Sequence, residues 1–303
     1  MSDMFTGFLS GIAAAFLNAA GYLFSAHFLK KYGSAWDLQV SAQINMLLLS
    51  LPLVWFFYPG PVVNLPEYIF YMTAWVAVFF IGQLSFFMAL KYIEASRLSS
   101  LLGLKIIVLT VIFMITARLF PNIWKWLAIF IAAAAAVMIN WQGNGKINFK
   151  GGIFLTCTLI CYSFSDICET GLIACMVDSG YSPFRGALFT TSAAYIALGC
   201  TSLPALIKVK ITRIQLAAAL PYSLLWILSQ VFLMVCFAKV APVFGNVILA
   251  SRGLFSVVLG GLLMLYTGSK LDADISPRQW LRRGIAAIMM ILAIAIYSWA
   301  AQP

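Results

Sequence analysis

The feature that most constrains this chain is a succession of uninterrupted apolar stretches, each about twenty residues long, divided by short polar breaks. A helix rises about 1.5 Å per residue, so about twenty residues cross a hydrocarbon layer roughly 30 Å thick. The stretches fall near 5–29, 38–58, 68–90, 97–118, 122–141, 152–176, 184–207, 213–237, 242–267 and 280–300. Backbone polar groups find no water in lipid, so only helices or a closed barrel can pass through it. A barrel needs short alternating strands, and these runs are too long for that.

Composition supports the same reading. The 19 Lys and Arg and the 9 Asp and Glu make up 9% of 303 residues, against about 25% in a soluble domain. So few charges could not wet a soluble enzyme of this size, and 24 Phe, 12 Tyr and 9 Trp exclude disorder. The chain reads as an all-α integral membrane protein with ten transmembrane helices. The first run lacks a basic leader and reads as a retained span. Cys157 and Cys161 are four apart but lack further zinc ligands, and the six cysteines show no metal spacing. No dinucleotide, phosphate-loop or HExxH motif stands in a suitable context. No metal, cofactor, nucleic-acid partner or enzymatic activity is expected.

The breaks are legible. Lys30-Lys31-Tyr32-Gly33 ends the first run, and Pro59-Gly60-Pro61 the second, because proline cannot donate to a continuing helix. Two junctions are short, Lys91 to Ser96 and Lys239 to Pro242, which forces neighbouring spans to run antiparallel. These junctions lie 147 residues apart, and Gln83 with Lys105 falls on Gln230 with Arg252 at the same offset. A second match, at offset 156, sets Pro121, Trp124 and Ala128 on Pro277, Trp280 and Gly284, so the extra residues belong in the 267–275 stretch. The chain therefore divides into a five-span half at 1–141, a connector at 142–151 and a second half at 152–303. An odd number of spans per half inverts one half relative to the other, as in many secondary transporters.

Charged groups inside spans are costly and usually face a water-filled cavity or a partner. Lys105 sits roughly 12 Å into the fourth span and Arg252 roughly 15 Å into the ninth. Asp166 and Glu169, three apart on the sixth span, share a helix face with Tyr162. Asn18, Tyr22 and Ser25 form a polar stripe on the first span. The candidate lining is Asn18, Tyr22, Gln83, Lys105, Tyr162, Asp166, Glu169, Gln230 and Arg252. Lys105 and Arg252 would hold a carboxylate or phosphate, and Asp166 or Glu169 an amine or a coupling proton. The competing reading is internal ion pairing that only fixes the packing. His27, the one histidine, belongs at an interface near the end of its span, although its ordinary pKa leaves a proton-sensing role open. The five alanines Ala132–Ala136, and Gly253, Gly260 and Gly261, allow close helix approach, in sliding or static contacts.

Ala89-Leu90-Lys91-Tyr92-Ile93-Glu94-Ala95, the small-rich segment that follows it, and Phe237-Ala238-Lys239-Val240-Ala241-Pro242 resemble the repeat junctions of the EamA branch of the drug/metabolite transporter superfamily. The resemblance implies a ten-helix carrier, with a cavity between the halves, that moves a metabolite, amino acid or drug by exchange or proton coupling. The family commonly has an apolar or proline-containing segment where Lys105 and Arg252 stand, so the basic pair points to an anionic or zwitterionic substrate or to structural pairing. The acids on the sixth span match no general family motif. The expected partners are a small-molecule metabolite, membrane lipids and a coupling proton, around a monomer in a bacterial inner (cell) membrane. A lipid or lipid-phosphate flippase, a membrane enzyme and a channel are the alternatives. Thirteen basic residues fall after the odd-numbered spans, against Arg118, Lys125, Arg185 and Lys239 on the other side. The positive-inside rule then sets both termini outside the cytoplasm, whereas the resemblance implies both inside.

Overall fold

The structure is a computed structural model that describes residues 2–58, 60–116, 120–139, 148–207, 209–267 and 277–300. Outside the described residues lie 142–147 of the expected connector, 268–275 of the expected insertion, and Arg118, Lys146, Lys208 and Lys270. Among the described residues every regular element is helical. In chain order these are α1 (Ser2–Tyr32), α2 (Ala35–Phe57), α3 (Leu65–Ala89), α4 (Ala95–Leu101), α5 (Lys105–Thr116), α6 (Ile123–Ile139), α7 (Phe149–Asp178), α8 (Pro183–Ser202), α9 (Arg213–Lys239), α10 (Pro242–Leu249), α11 (Arg252–Thr267) and α12 (Pro277–Ala300). Among the described residues eight stretches are helical, long and apolar enough to cross a membrane, and two shorter apolar helices cover Ile123–Met138 and Gly284–Ala300. The chain has the make-up of an integral membrane protein.

Local chemistry sets the helix ends. Gly33 (φ 73°) follows α1 and Gly180 (φ 84°) follows α7. That left-handed backbone is one other residues adopt only at a cost, so both helices stop there. Ser34 caps α2 by accepting from the Asp37 amide at 3.1 Å. Thr212 and Gln215 cap α9 reciprocally in a capping box. Gln215 also donates to Asp37 Oδ2 at 2.9 Å, which ties the starts of α2 and α9 together at what we term the Ser34 end of the bundle. The opposite, Asp3 end carries the exposed Lys239–Asp3 ion pair at 2.7 Å.

Helices pack as long antiparallel pairs. α1 lies along α9, α3 along α7, α2 along α8 and α6 along α12. In lipid, close van der Waals fit and polar contacts replace hydrophobic burial as the force between helices. Ala128, Ala132 and Ala135 of α6 meet Ala286, Met290 and Ala293 of α12 in one buried cluster, so the alanine run serves close packing. Gly261, in contrast, has open space where a Cβ would be.

The fourth expected span is not one uniform helix. A 3-10 turn, Leu102–Leu104, separates α4 from α5, which begins at Lys105. The ninth is interrupted in the same way. Ser251, Gly253 and Leu254 donate to carbonyls three residues back, and α11 begins at Arg252. Tight turns of this kind inside a helix often mark hinges or functional sites. The two turns touch: a Cβ on Gly103 would lie 3.5 Å from the Ala250 Cβ, and one on Gly253 would meet Ser100 Oγ at 2.5 Å.

Candidate functional site

The nine sequence-predicted residues are all buried, none more than 5% exposed. Eight of them line a single cavity: Asn18 and Tyr22 from α1, Lys105 from α5, Tyr162, Asp166 and Glu169 from α7, Gln230 from α9, and Arg252 from α11. The cavity is small, about 20 Å³. Its walls are nearly closed on one another. Gln83 is the exception and stands outside the cavity in a hydrogen-bonded chain of its own. Ser25 is buried and bonds back to the Tyr22 carbonyl at 2.8 Å, while His27 is exposed.

The four charges divide into two classes. Lys105 Nζ lies 2.9 Å from Asp166 Oδ1 and 2.8 Å from Oδ2, and Asn246 donates to Oδ2 at 2.5 Å. The Asp166 carboxylate is thus saturated from both sides, and this pair fits the structural reading of the charges. Glu169, one helical turn along the same face, has no such partner. It accepts one bond, from the Trp75 indole to Oε1 at 2.9 Å, and its Oε2 has no hydrogen-bond partner. Arg252 gives its Nε–H to the Ser99 carbonyl at 3.4 Å, and among the described residues no ion pair engages its guanidinium. One acid and one base are therefore closed on each other, and one of each is left to the cavity.

Four further cavity atoms have no hydrogen-bond partner: Asn18 Oδ1, Tyr22 OH, Tyr162 OH and Gln230 Oε1. A buried polar atom without a partner costs roughly 1–3 kcal/mol. Five such atoms, counting Glu169 Oε2, belong to residues that line one small cavity. The rest of the wall is aromatic. Tyr162 stacks on Phe79 with centroids 5.8 Å apart, and Trp226 lies 5.8 Å from Tyr22 and 6.1 Å from Phe79. Ring faces of this kind attract ammonium groups when water is excluded.

Sequence reasoning missed Phe79, Ser165, Trp226 and the supporting Trp75 and Asn246. Apolar aromatics in apolar spans carry no local signal. Ser165 did carry one: the 147-residue offset pairs Asn18 with Ser165 and Tyr22 with Glu169, and all four line the cavity.

No family model matches the chain, and no curated protein matches it. Among solved structures, a chain described in print only as "Crystal structure of protein" aligns over 97% of this chain and 97% of its own length, with a TM-score of 0.68 and 11% identity. At that identity the likeness establishes a shared fold over nearly the whole length, and nothing about chemistry.

Proposed function

We propose that this protein is a secondary transporter of the drug/metabolite type. It would carry a small zwitterionic metabolite, an amino acid or a compound of the same charge pattern, through a central cavity by exchange or proton coupling. The observation that carries this reading is the division of charge in the cavity: Lys105 and Asp166 neutralise each other, while Arg252 and Glu169 Oε2 are left without ionic partners. A guest with a carboxylate for Arg252 and an ammonium for Glu169 and the aromatic wall would satisfy both. A simple anion would leave Glu169 unanswered, and a simple cation would leave Arg252 so.

Alternating access requires two halves that can exchange roles, and contact geometry supports an inverted repeat of five spans each, with α6 and α12 as the fifth and tenth. Gly82 would place a Cβ 2.9 Å from the Cys161 Cβ, and the same offset converts this contact into Ser229 with Ala14, where Ser229 donates to the Ala14 carbonyl at 2.9 Å. Tyr92 stacks on Phe154, and their counterparts Lys239 and Gly7 also touch. Gly103 meets its own counterpart, Ala250, as residues flanking a twofold axis would. Of the three described glycines with positive φ, Gly33, Gly60 and Gly180, the first and last obey the same offset.

The test is exchange in proteoliposomes with three versions of one labelled amino acid: the free zwitterion, its amide and its N-acetyl derivative. We expect exchange of the zwitterion alone. Movement of the N-acetyl anion at an equal rate would remove the role given to Glu169, and no movement of any proteinogenic amino acid would remove the function.

A further inference from the structure

The two repeat-related glutamines sit in opposite circumstances. At the Ser34 end, Gln43 Nε2 donates to Gln83 Oε1 at 3.0 Å, and Gln83 Nε2 donates to Tyr222 OH at 3.1 Å. Ser202 Oγ donates to Gln43 Oε1. This ladder joins α2, α3, α8 and α9 and uses both ends of each amide. It abuts the cavity, because the Tyr222 ring lies 5.6 Å from Trp226. Ser223 Oγ, bonded to the Ala42 carbonyl at 3.2 Å, and Asn45 Nδ2, bonded to the Leu216 carbonyl at 2.8 Å, extend the seam between α2 and α9.

At an offset of 147 the ladder Gln43, Gln83, Tyr222 becomes Thr190, Gln230, Trp75. These three also come from neighbouring helices, α8, α9 and α3, yet none of the equivalent bonds is made. Gln230 Oε1 is buried without a partner. The Thr190 hydroxyl receives Tyr68 OH at 3.3 Å, and the Trp75 indole N–H is spent on Glu169. Indole nitrogen can only donate, and the orphaned atom of Gln230 is an acceptor, so the two groups are complementary as donor and acceptor.

We propose that these are two alternating seals and that Trp75 is the residue that switches between them. This inference rests on the carrier reading above. With the Gln43–Gln83–Tyr222 ladder closed, the cavity is cut off from the Ser34 end and Trp75 holds Glu169 Oε1, which aims the carboxylate into the site. When the halves exchange, the first ladder opens and Trp75 transfers its N–H to Gln230 Oε1. The Thr190–Gln230–Trp75 ladder then closes the Asp3 end, and Glu169 loses its holding bond. Trp75 thus links the state of the seals to the grip on the guest's cationic end.

Hydrogen–deuterium exchange of the full chain in lipid nanodiscs, without substrate, reads both ends at once. Gln83→Leu should raise exchange at 35–45 and 213–223 by about tenfold, the effect of one buried hydrogen bond, and lower it at 65–75 and 183–191. Gln230→Leu should shift the same segments in the opposite sense. Should Gln83→Leu not fold, Tyr222→Phe removes the same bond and should give the same shift. In a Trp75→Phe background, adding Gln230→Leu should change the balance no further, because both changes remove one shared bond. Same-sense shifts in the two glutamine variants, wild-type exchange in Gln83→Leu, or additive effects of Trp75→Phe and Gln230→Leu each overturn the proposal. The outcome is separable from that of the transport reading. Mirrored shifts in a chain that moves no amino acid would leave the seals standing without the substrate, and exchange of amino acids without mirrored shifts would leave a carrier gated elsewhere.

Discussion

Asp166 and Glu169 are both acids on one face of one helix, and the difference between them is what each touches. Removing one member of a buried ion pair strands the other and costs roughly 3–5 kcal/mol. Asp166→Asn should therefore lower folded yield and thermal stability, as should Lys105→Met, and the double variant Lys105→Met with Asp166→Leu should recover most of the loss. Glu169→Gln keeps the Trp75 bond and loses only the charge. It should fold with a midpoint within about 2 °C of wild type, a change of about 1 kcal/mol, and lose amino-acid exchange by at least about tenfold. Transport per folded molecule in liposomes, beside thermal unfolding, separates these results. Equal transport in wild type and Glu169→Gln would make Glu169 a bystander and leave Arg252 as the single charged candidate.

At the level of the element, the interrupted helices are the informative feature. Lys105 and Arg252 each open a new helix directly after a tightened turn, so the turn fixes where on the helix face the cation emerges. The turns pack face to face through Gly103 with Ala250 and Gly253 with Ser100, and the second pair leaves no room for an added atom. Gly253→Ala would press a methyl against Ser100 and should cost about 1–3 kcal/mol. Pairing it with Ser100→Gly should restore most of the stability in a thermal unfolding assay. Full stability in Gly253→Ala alone would mean that the crossing yields more easily than its contacts indicate. Hydropathy could not reveal these turns, because a 3-10 stretch and an α-helix carry the same apolar composition.

For the whole molecule, the proposed ten crossings would require that both chain ends lie on one side. Tags placed at residues 1 and 303 should respond alike to an impermeant reagent, and opposite responses would remove the five-plus-five arrangement. The thirteen-to-four bias of basic residues would set both ends outside the cytoplasm, and the family resemblance would set both inside, so the same tags in intact cells decide between charge and resemblance. Residues 5–141 should superpose on 152–300 about an axis near the membrane plane. Lys105 should fall within one helical turn of Arg252.

The sequence alone determined the class of molecule, because apolar run length and the scarcity of charge leave a lipid-immersed helical chain few alternatives. It also located the cavity lining, since a buried charge in lipid is too costly to be incidental. The four charges, and four of the five uncharged residues chosen for polar stripes and symmetric amides, meet around one cavity. Tertiary structure alone decided which charge answers which. Lys105 is 61 residues from Asp166, Trp75 is 94 from Glu169 and Gln83 is 139 from Tyr222, and no local pattern ranks partners at such separations. The sequence could mark four charges and two glutamines as important. Only the packing of α5 and α10 on α7, and of α2, α3 and α9 on one another, determined that one acid is saturated, one is left open, and one glutamine is bound while its counterpart is free at its oxygen.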